Sequence, residues 1–192
     1  MELSRISWSP YPMIIKTERL ILRPLTQGDV DAMLEYQSDP DVIRFIPWPV
    51  RDRAMVSQSI VDLEKMVETT GADKNFVFGM HSKADGKIIG QVNYMLKGDR
   101  EFQREIGYVI NPKFGGRGYV HEALVAMIGY IFEMPGVERI YATIDPRNVA
   151  SENVAIALGM RKEAHHIRDD FFKGEWMDTL IYAILKSEWA KK

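Results

Sequence analysis

The chain has no cysteine among its 192 residues. That absence excludes disulfides, a zinc site with thiolate ligands, and a cysteine nucleophile in whatever chemistry the protein performs. Net charge is nearly absent too, because 25 basic and 27 acidic residues are interspersed and sum to −2. A field that would gather nucleic acid or an anionic membrane is therefore missing. Nowhere do about 18 apolar residues follow one another, and the opening MELSRISWSPYPMII has no long apolar run after its single Arg5. The sequence also lacks internal repeats, low-complexity tracts and linkers. Together these absences predict a soluble, cytoplasmic protein with neither nucleic acid nor membrane as partner, and they leave monomer and homodimer open.

What is present suffices for a sizeable core. Apolar residues make up 46% of the chain, and this length most simply closes around one core, so a single domain over 1–192 is expected, with residues 1–15 as an N-terminal arm. RLILRPL (19–25) alternates apolar and polar and reads as a strand, and Thr26 with Asp29 three residues on reads as the start of a helix over about 27–38. DPDVIRFIPWP (39–49) reads as a loop. Val56, Ile60, Leu63 and Val67 fall on one face of a second helix that Gly71 closes. NFVFGMHS and KIIGQVNYML flank a hairpin turn at Asp85-Gly86, and REIGYVIN completes an antiparallel meander. Val120, Leu124, Ile128 and Phe132 then line a long helix ended by Pro135-Gly136. ERIYATID follows as a strand, SENVAIALG as a short helix, DDFFKGEWMD as a polar, aromatic excursion, and TLIYAILK as a final strand. The expected fold class is α/β (α+β): a mixed, mostly antiparallel sheet of about six to seven strands flanked by about four helices.

Between the meander and the long helix stands INPKFGGRGYVHEAL (110–124), with three glycines in four positions. A glycine-rich turn entering a helix collects free backbone N–H groups at a positive helix end, which suits a phosphate. A flexible connector needing positive φ is the alternative. A Walker loop requires Lys-Ser/Thr after its last glycine, where Tyr119 and Val120 stand. A dinucleotide fingerprint requires Gly or Ala at position 121, which is His121, and a parallel βαβ unit at the start of the fold.

The same stretch resembles the pyrophosphate loop of the GNAT acyl-CoA N-acyltransferases, usually Q/R-x-x-G-x-G/A, with Gly118 at the fixed glycine, Gly115 in place of the first residue and Val120 in place of the last. TERLILRPLTQGDVDAMLEYQSDPDVIRFIPWP, EIGYVINP, NVASENVAIALGM and FFKGEWMDTLIYAILKSEW are similar to the branch that contains the Rim-type ribosomal-protein N-terminal acetyltransferases. The resemblance spans about residues 16–189 and implies the GNAT fold, with acetyl-CoA or another acyl-CoA as co-substrate and no metal. It implies that backbone N–H groups of Gly116, Arg117, Gly118, Tyr119 and Val120 hold the pyrophosphate, with Lys113 or Arg117 as side-chain partners of the remaining phosphate. It further implies that the backbone of Tyr108, Val109 and Ile110 pairs with the pantetheine arm, which Asn148 meets from the other side.

Acyl transfer needs a neutral amine, help for the oxyanion and a proton for the leaving thiolate; with no cysteine to carry the acyl group, direct attack in a ternary complex is the economical scheme. Many of these enzymes use a tyrosine as the acid, but Ala155 stands at that position here. Ser151 takes the role in the resembling branch, unless it serves as a helix cap. Glu105 is the candidate base, directly or through water, or else a solvent-facing carboxylate; alternation puts it on one face of its strand with Gly107 and Val109, and Ile106, Tyr108 and Ile110 on the other. His165 and His166 are adjacent on a strand, so at most one of them points inward. At pH 7 an α-amino group is neutral in roughly one case in seven and a lysine in about one in two thousand, which favours a protein N-terminus as acceptor where no strong base is conspicuous. FIPWPVR (45–51) and DDFFKGEW (169–176) are the expected specificity loops. A small-molecule amine such as an aminoglycoside or polyamine is the alternative acceptor, and a non-catalytic acyl-CoA-binding module the alternative outside enzymes.

Overall fold

In the computed structural model, residues 14–191 are described; the expected arm lies outside them apart from Ile14 and Ile15. One sheet of eight strands runs through the described residues in the order β1-β2-β3-β4-β5-β6-β8-β7. The strands are β1 (Ile15–Lys16), β2 (Leu20–Pro24), β3 (Asn75–Ser82), β4 (Ile88–Met95), β5 (Gln103–Ile110), β6 (Arg139–Ile144), β7 (Arg161–Phe172) and β8 (Glu175–Leu185). The helices are α1 (Val30–Gln37), α2 (Arg53–Thr70), α3 (Tyr119–Phe132), α4 (Val149–Ala157) and α5 (Lys186–Trp189). Every neighbouring pair is antiparallel except β5 and β6, which α3 connects, since parallel strands need a crossover. None of the described helices is long and apolar enough to cross a membrane.

The class matches the expectation; the counts run higher for identifiable reasons. β1 has two residues and α5 a single turn, both below the length at which periodicity can be read. The stretch read as an excursion is a hairpin tip, with β7 ending at Phe172 and β8 starting at Glu175. Lys173 and Gly174 have φ of 49° and 88°, as a two-residue type I′ turn requires. β7 escaped the pattern because it is an edge strand exposed along almost its whole length, so it has no apolar face to alternate.

The sheet divides the core. On one face Leu124, Met127, Ile128 and Ile131 of α3 pack against Phe76, Phe78, Tyr94 and Ile106, and each large side chain buried there contributes about 1.5–3 kcal/mol. On the other face Val30, Met33 and Tyr36 of α1 and Val56 and Ile60 of α2 meet Ile88 and Val109. β5 thus feeds both cores by strict alternation, with Tyr108 packed toward α3 and Val109 toward α1.

β4 and β5 lie unusually close at one point. A Cβ on Gly90 would stand 2.4 Å from the Val109 carbonyl oxygen and 2.9 Å from Ile110 Cα, both backbone atoms that cannot rotate away. Gly90→Ala is expected to destabilise the fold by about 2–3 kcal/mol, read as a lower urea midpoint at unchanged m-value.

Candidate active site

The central opening begins where β5 and β6 part. Their parallel register runs Gln103 to Arg139, Arg104 to Ile140 and Glu105 to Tyr141, and no pairing continues beyond. β5 stays paired to β4 from Glu105 to Ile110, so its other edge presents free backbone groups from Ile106 to Ile110. A cleft of about 1300 Å³ occupies the gap and is lined by Tyr108, Val109, Ile110, Asn148, Ser151 and Glu105 among others. Sequence reasoning named these residues one by one; the divergence of two strands brings them together.

Gly116, Arg117, Gly118, Tyr119 and Val120 do not line that cleft. They form the start of α3 beyond Pro112, exposed from Gly115 to Gly118, with the Val120 side chain buried. Gly116 and Gly118 have φ of 70° and 75°, and Gly118 is the N-cap residue of α3. The first backbone bond of the helix runs from the Glu122 amide to Gly118, which leaves the amides of residues 116–120 without a backbone acceptor among the described residues. An open helix end of this kind carries roughly half a positive charge in addition to its donors.

Arg19 is a residue that sequence reasoning missed here. From the bend just ahead of β2 its Nη1 donates to the Arg117 carbonyl at 2.9 Å, its Nε to Glu122 at 2.6 Å, and its guanidinium stacks 4.5 Å over the Tyr119 ring. In a planar trans peptide the C=O and the following N–H point in opposite directions, so fixing the Arg117 carbonyl aims the Gly118 amide away from Arg19. Burial would push the Glu122 carboxyl up, but bonds from Thr17 and Arg19 outweigh it and hold the carboxyl below its ordinary range. Arg19 thereby neutralises the one acidic residue in the first turn of α3. Nothing local signals a contact between residues 98 apart in sequence. Lys113 is turned to Glu35 at 2.8 Å, and Arg117 stands 5.9 Å over the Phe114 ring.

Across the cleft, the Asn148 side chain accepts from the Ser151 amide at 3.1 Å and caps α4. Ser151 is the third residue of that helix rather than its cap. Its hydroxyl accepts from the Tyr108 phenol at 2.9 Å. Ala155 is buried one turn further on.

Glu105 is partly buried and accepts from the Thr143 hydroxyl at 2.7 Å and the Tyr141 hydroxyl at 3.4 Å. Burial and the Glu105 charge push the Tyr141 phenol up to about 12, so it stays a donor. Alternation puts Glu105 on the Val109 face and Tyr108 on the other, yet both reach the same cleft because the strand gap opens through the sheet. Of the two adjacent histidines, His166 lines the cleft, and His165 turns to Asp178 at 2.9 Å.

Both expected specificity loops reach this cleft: Phe45, Trp48 and Arg51 from one, Asp169, Asp170 and Phe172 from the other. The second loop is tied to the segment just before the first and to the turn ahead of α4. Lys173 Nζ donates to the Ile43 carbonyl at 2.7 Å, and Arg147 bridges Asp145 at 2.6 Å to Glu175 at 2.8 Å. The Arg147 bond holds the Asp145 carboxyl below the usual carboxylate range. Glu175 is therefore spent on this bridge, and Asp169 and Asp170 are the carboxylates left at the mouth. No group of three or more His, Asp or Glu side chains among the described residues could hold a metal ion.

Comparison with known proteins gives a consistent picture. A family profile described as an acetyltransferase (GNAT) domain matches residues 19–161. The Bacillus subtilis (strain 168) protein named uncharacterized N-acetyltransferase YnaD is 34% identical over 184 residues, covering 92% of this chain and 99% of the relative. The [ribosomal protein uS5]-alanine N-acetyltransferase of Escherichia coli (strain K12) is 28% identical over 180 residues, covering 91% and 92%. Among solved structures, the GNAT-family acetyltransferase from Bacillus anthracis superposes with a TM-score of 0.81 at 32% identity, over 92% of this chain and 100% of that one.

Proposed function

The chain belongs to the acetyltransferase (GNAT) family, and from that premise we propose that it transfers the acetyl group of acetyl-CoA to a protein N-terminal α-amine by direct attack in a ternary complex. The observation that carries this reading is the parting of β5 from β6 beyond Glu105, with the free amides of the glycine loop outside one end of the gap. An extended amide-bearing chain can add to the open edge of β5 at residues 106–110 as a further strand does, while its pyrophosphate takes the amides of residues 116–120 at the positive end of α3. That arrangement holds a thioester in the cleft between Glu105 on one side and Ser151 on the other.

The amine attacks the thioester carbonyl as a neutral nucleophile. Glu105 takes the proton released by the nitrogen, directly or through water; its bonds from Thr143 and Tyr141 fix its orientation. Ser151 gives its hydroxyl proton to the departing thiolate. An N-terminal amine suits such a site because it needs little help to lose its proton at neutral pH. The relative acting on a ribosomal-protein alanine supports that acceptor class. A polyamine or aminoglycoside is the second reading, favoured by Asp169 and Asp170 at the mouth.

The test is thiol release from acetyl-CoA with peptides beginning in Ala or Ser, the same peptides blocked at the N-terminus but carrying lysine, and polyamines and aminoglycosides. Free N-terminal peptides are expected to give kcat/KM at least about tenfold above every other amine, in line with the difference in neutral fraction. Release confined to polyamines or aminoglycosides would assign the second reading instead.

A further inference from the structure

We infer that Tyr108 is a positioning residue for acyl transfer: its phenol donates to Ser151 and thereby leaves the Ser151 proton free for the departing thiolate. The inference rests on the assignment of Ser151 as the proton donor.

A serine hydroxyl has one hydrogen and two lone pairs, and within helices it commonly donates back to a carbonyl three or four residues earlier. Other helical hydroxyls of this protein do so: Ser59 to Val56, Thr69 to Lys65 and Thr70 to Met66, at 2.7 to 2.8 Å. A proton held in that way is not available to a substrate. Ser151 differs because it stands in the first turn of α4. The residue four before it, Arg147, lies in the turn ahead of the helix, and the Ser151 hydroxyl is bonded to the Tyr108 phenol instead of to an earlier carbonyl. Its own amide is satisfied by Asn148. The contact that remains to its oxygen comes from Tyr108, 2.9 Å away and 43 residues earlier in the chain. Because the phenol gives its single hydrogen to that contact, the Ser151 oxygen is the acceptor and its own hydrogen must point elsewhere. Both side chains line the cleft.

The environment keeps the phenol in its donating form. Burial pushes the Tyr108 pKa above the ordinary phenol range. Tyr108 therefore enters the reaction as the protonated phenol. The step balances as follows. The amine nitrogen bonds to the acetyl carbon, the C–S bond breaks, the thiolate sulfur takes the proton of the Ser151 hydroxyl, and the amine proton passes to Glu105 or water. Ser151 then regains a proton from solvent, and Glu105 returns its own there. While Ser151 is deprotonated, the Tyr108 hydrogen bond is to a charged oxygen, where such bonds are strongest.

The test is a double-mutant cycle of Tyr108→Phe and Ser151→Ala in the full chain, with acetyl-CoA and the best acceptor. Phenylalanine keeps the packing of the ring and removes only the donor. Tyr108→Phe is expected to lower kcat about 10- to 100-fold at unchanged KM for acetyl-CoA. In the Ser151→Ala background the same change should alter kcat less than about twofold, because the partner is gone. A merely structural role would lower the thermal midpoint and multiply with Ser151→Ala, and that outcome would overturn the inference. A Tyr108→Phe enzyme within about twofold of the parent, where Ser151→Ala is strongly impaired, would overturn it while leaving Ser151 as the donor. An unimpaired Ser151→Ala enzyme would remove the donor assignment itself.

Discussion

Replacing Gly118 by valine is expected to weaken acetyl-CoA binding by at least about 100-fold while the protein stays folded. A Cβ at this position would touch only the end of the Arg19 side chain, at 3.5 Å, so steric overlap is not the cause. The cause is the backbone. Gly118 holds φ at 75°, a region that costs an L-residue about 1–2 kcal/mol and a β-branched one more. Valine relieves that strain by returning φ to negative values, which rotates the peptide between Arg117 and Gly118. The Arg117 carbonyl then leaves Arg19, and the amides of the following turn no longer converge. Two or three charge-assisted bonds lost at about 1.5–3 kcal/mol each exceed the factor of 100. Gly129, in the same helix with nothing within 4 Å of its Cβ position, is the control: Gly129→Ala should leave affinity unchanged and raise stability by about 0.5–1 kcal/mol. Calorimetric titration of acetyl-CoA reads both variants, and a folded Gly118→Val protein with parental affinity would remove the glycine loop from the binding site.

The second large effect is expected at Ser151. Ser151→Ala should lower kcat by about 10² to 10⁴ with acetyl-CoA affinity within about twofold of the parent. Asn148 is what makes this experiment clean. Because it caps α4 through its own side chain, losing the serine hydroxyl leaves the helix end satisfied, and the stability cost is confined to the Tyr108 phenol that loses its partner, about 1 kcal/mol. Had Ser151 been the cap, the same substitution would have cost a similar amount of stability with little effect on turnover. A kcat within threefold of the parent would leave Ser151 without a part in proton transfer.

Much of the architecture could be read residue by residue. The four-three-four spacing of Val56, Ile60, Leu63 and Val67 gave a helix that Gly71 indeed closes, and Asp85-Gly86 gave a hairpin in which Gly86 has φ of 68°. The alternation along REIGYVIN placed Tyr108 and Val109 on opposite faces, as their two core clusters show. These features are local: side-chain period and turn chemistry act over a few residues and need no partner. β7 was not legible for the converse reason, since pairing with β8 holds it in place and it buries almost nothing of its own. Within the candidate site, the glycine loop announced itself through local geometry and Asn148 was implied by the family resemblance, whereas nothing pointed to Arg19.

The amino-acid sequence by itself determined the order of helices α1 to α4 and of the core strands β2 to β6 and β8, the glycine-rich entry to α3 and the absence of a cysteine nucleophile, because periodicity, turn chemistry and composition are properties of short stretches or of the chain as a whole. Only the tertiary structure decided that β5 and β6 part beyond Glu105, that Arg19 orients the Arg117 carbonyl, and that Tyr108 donates to Ser151. Each of these depends on where two distant segments meet across the sheet, and such a meeting is set by the packing of whole strands and helices against one another rather than by the residues on either side of it.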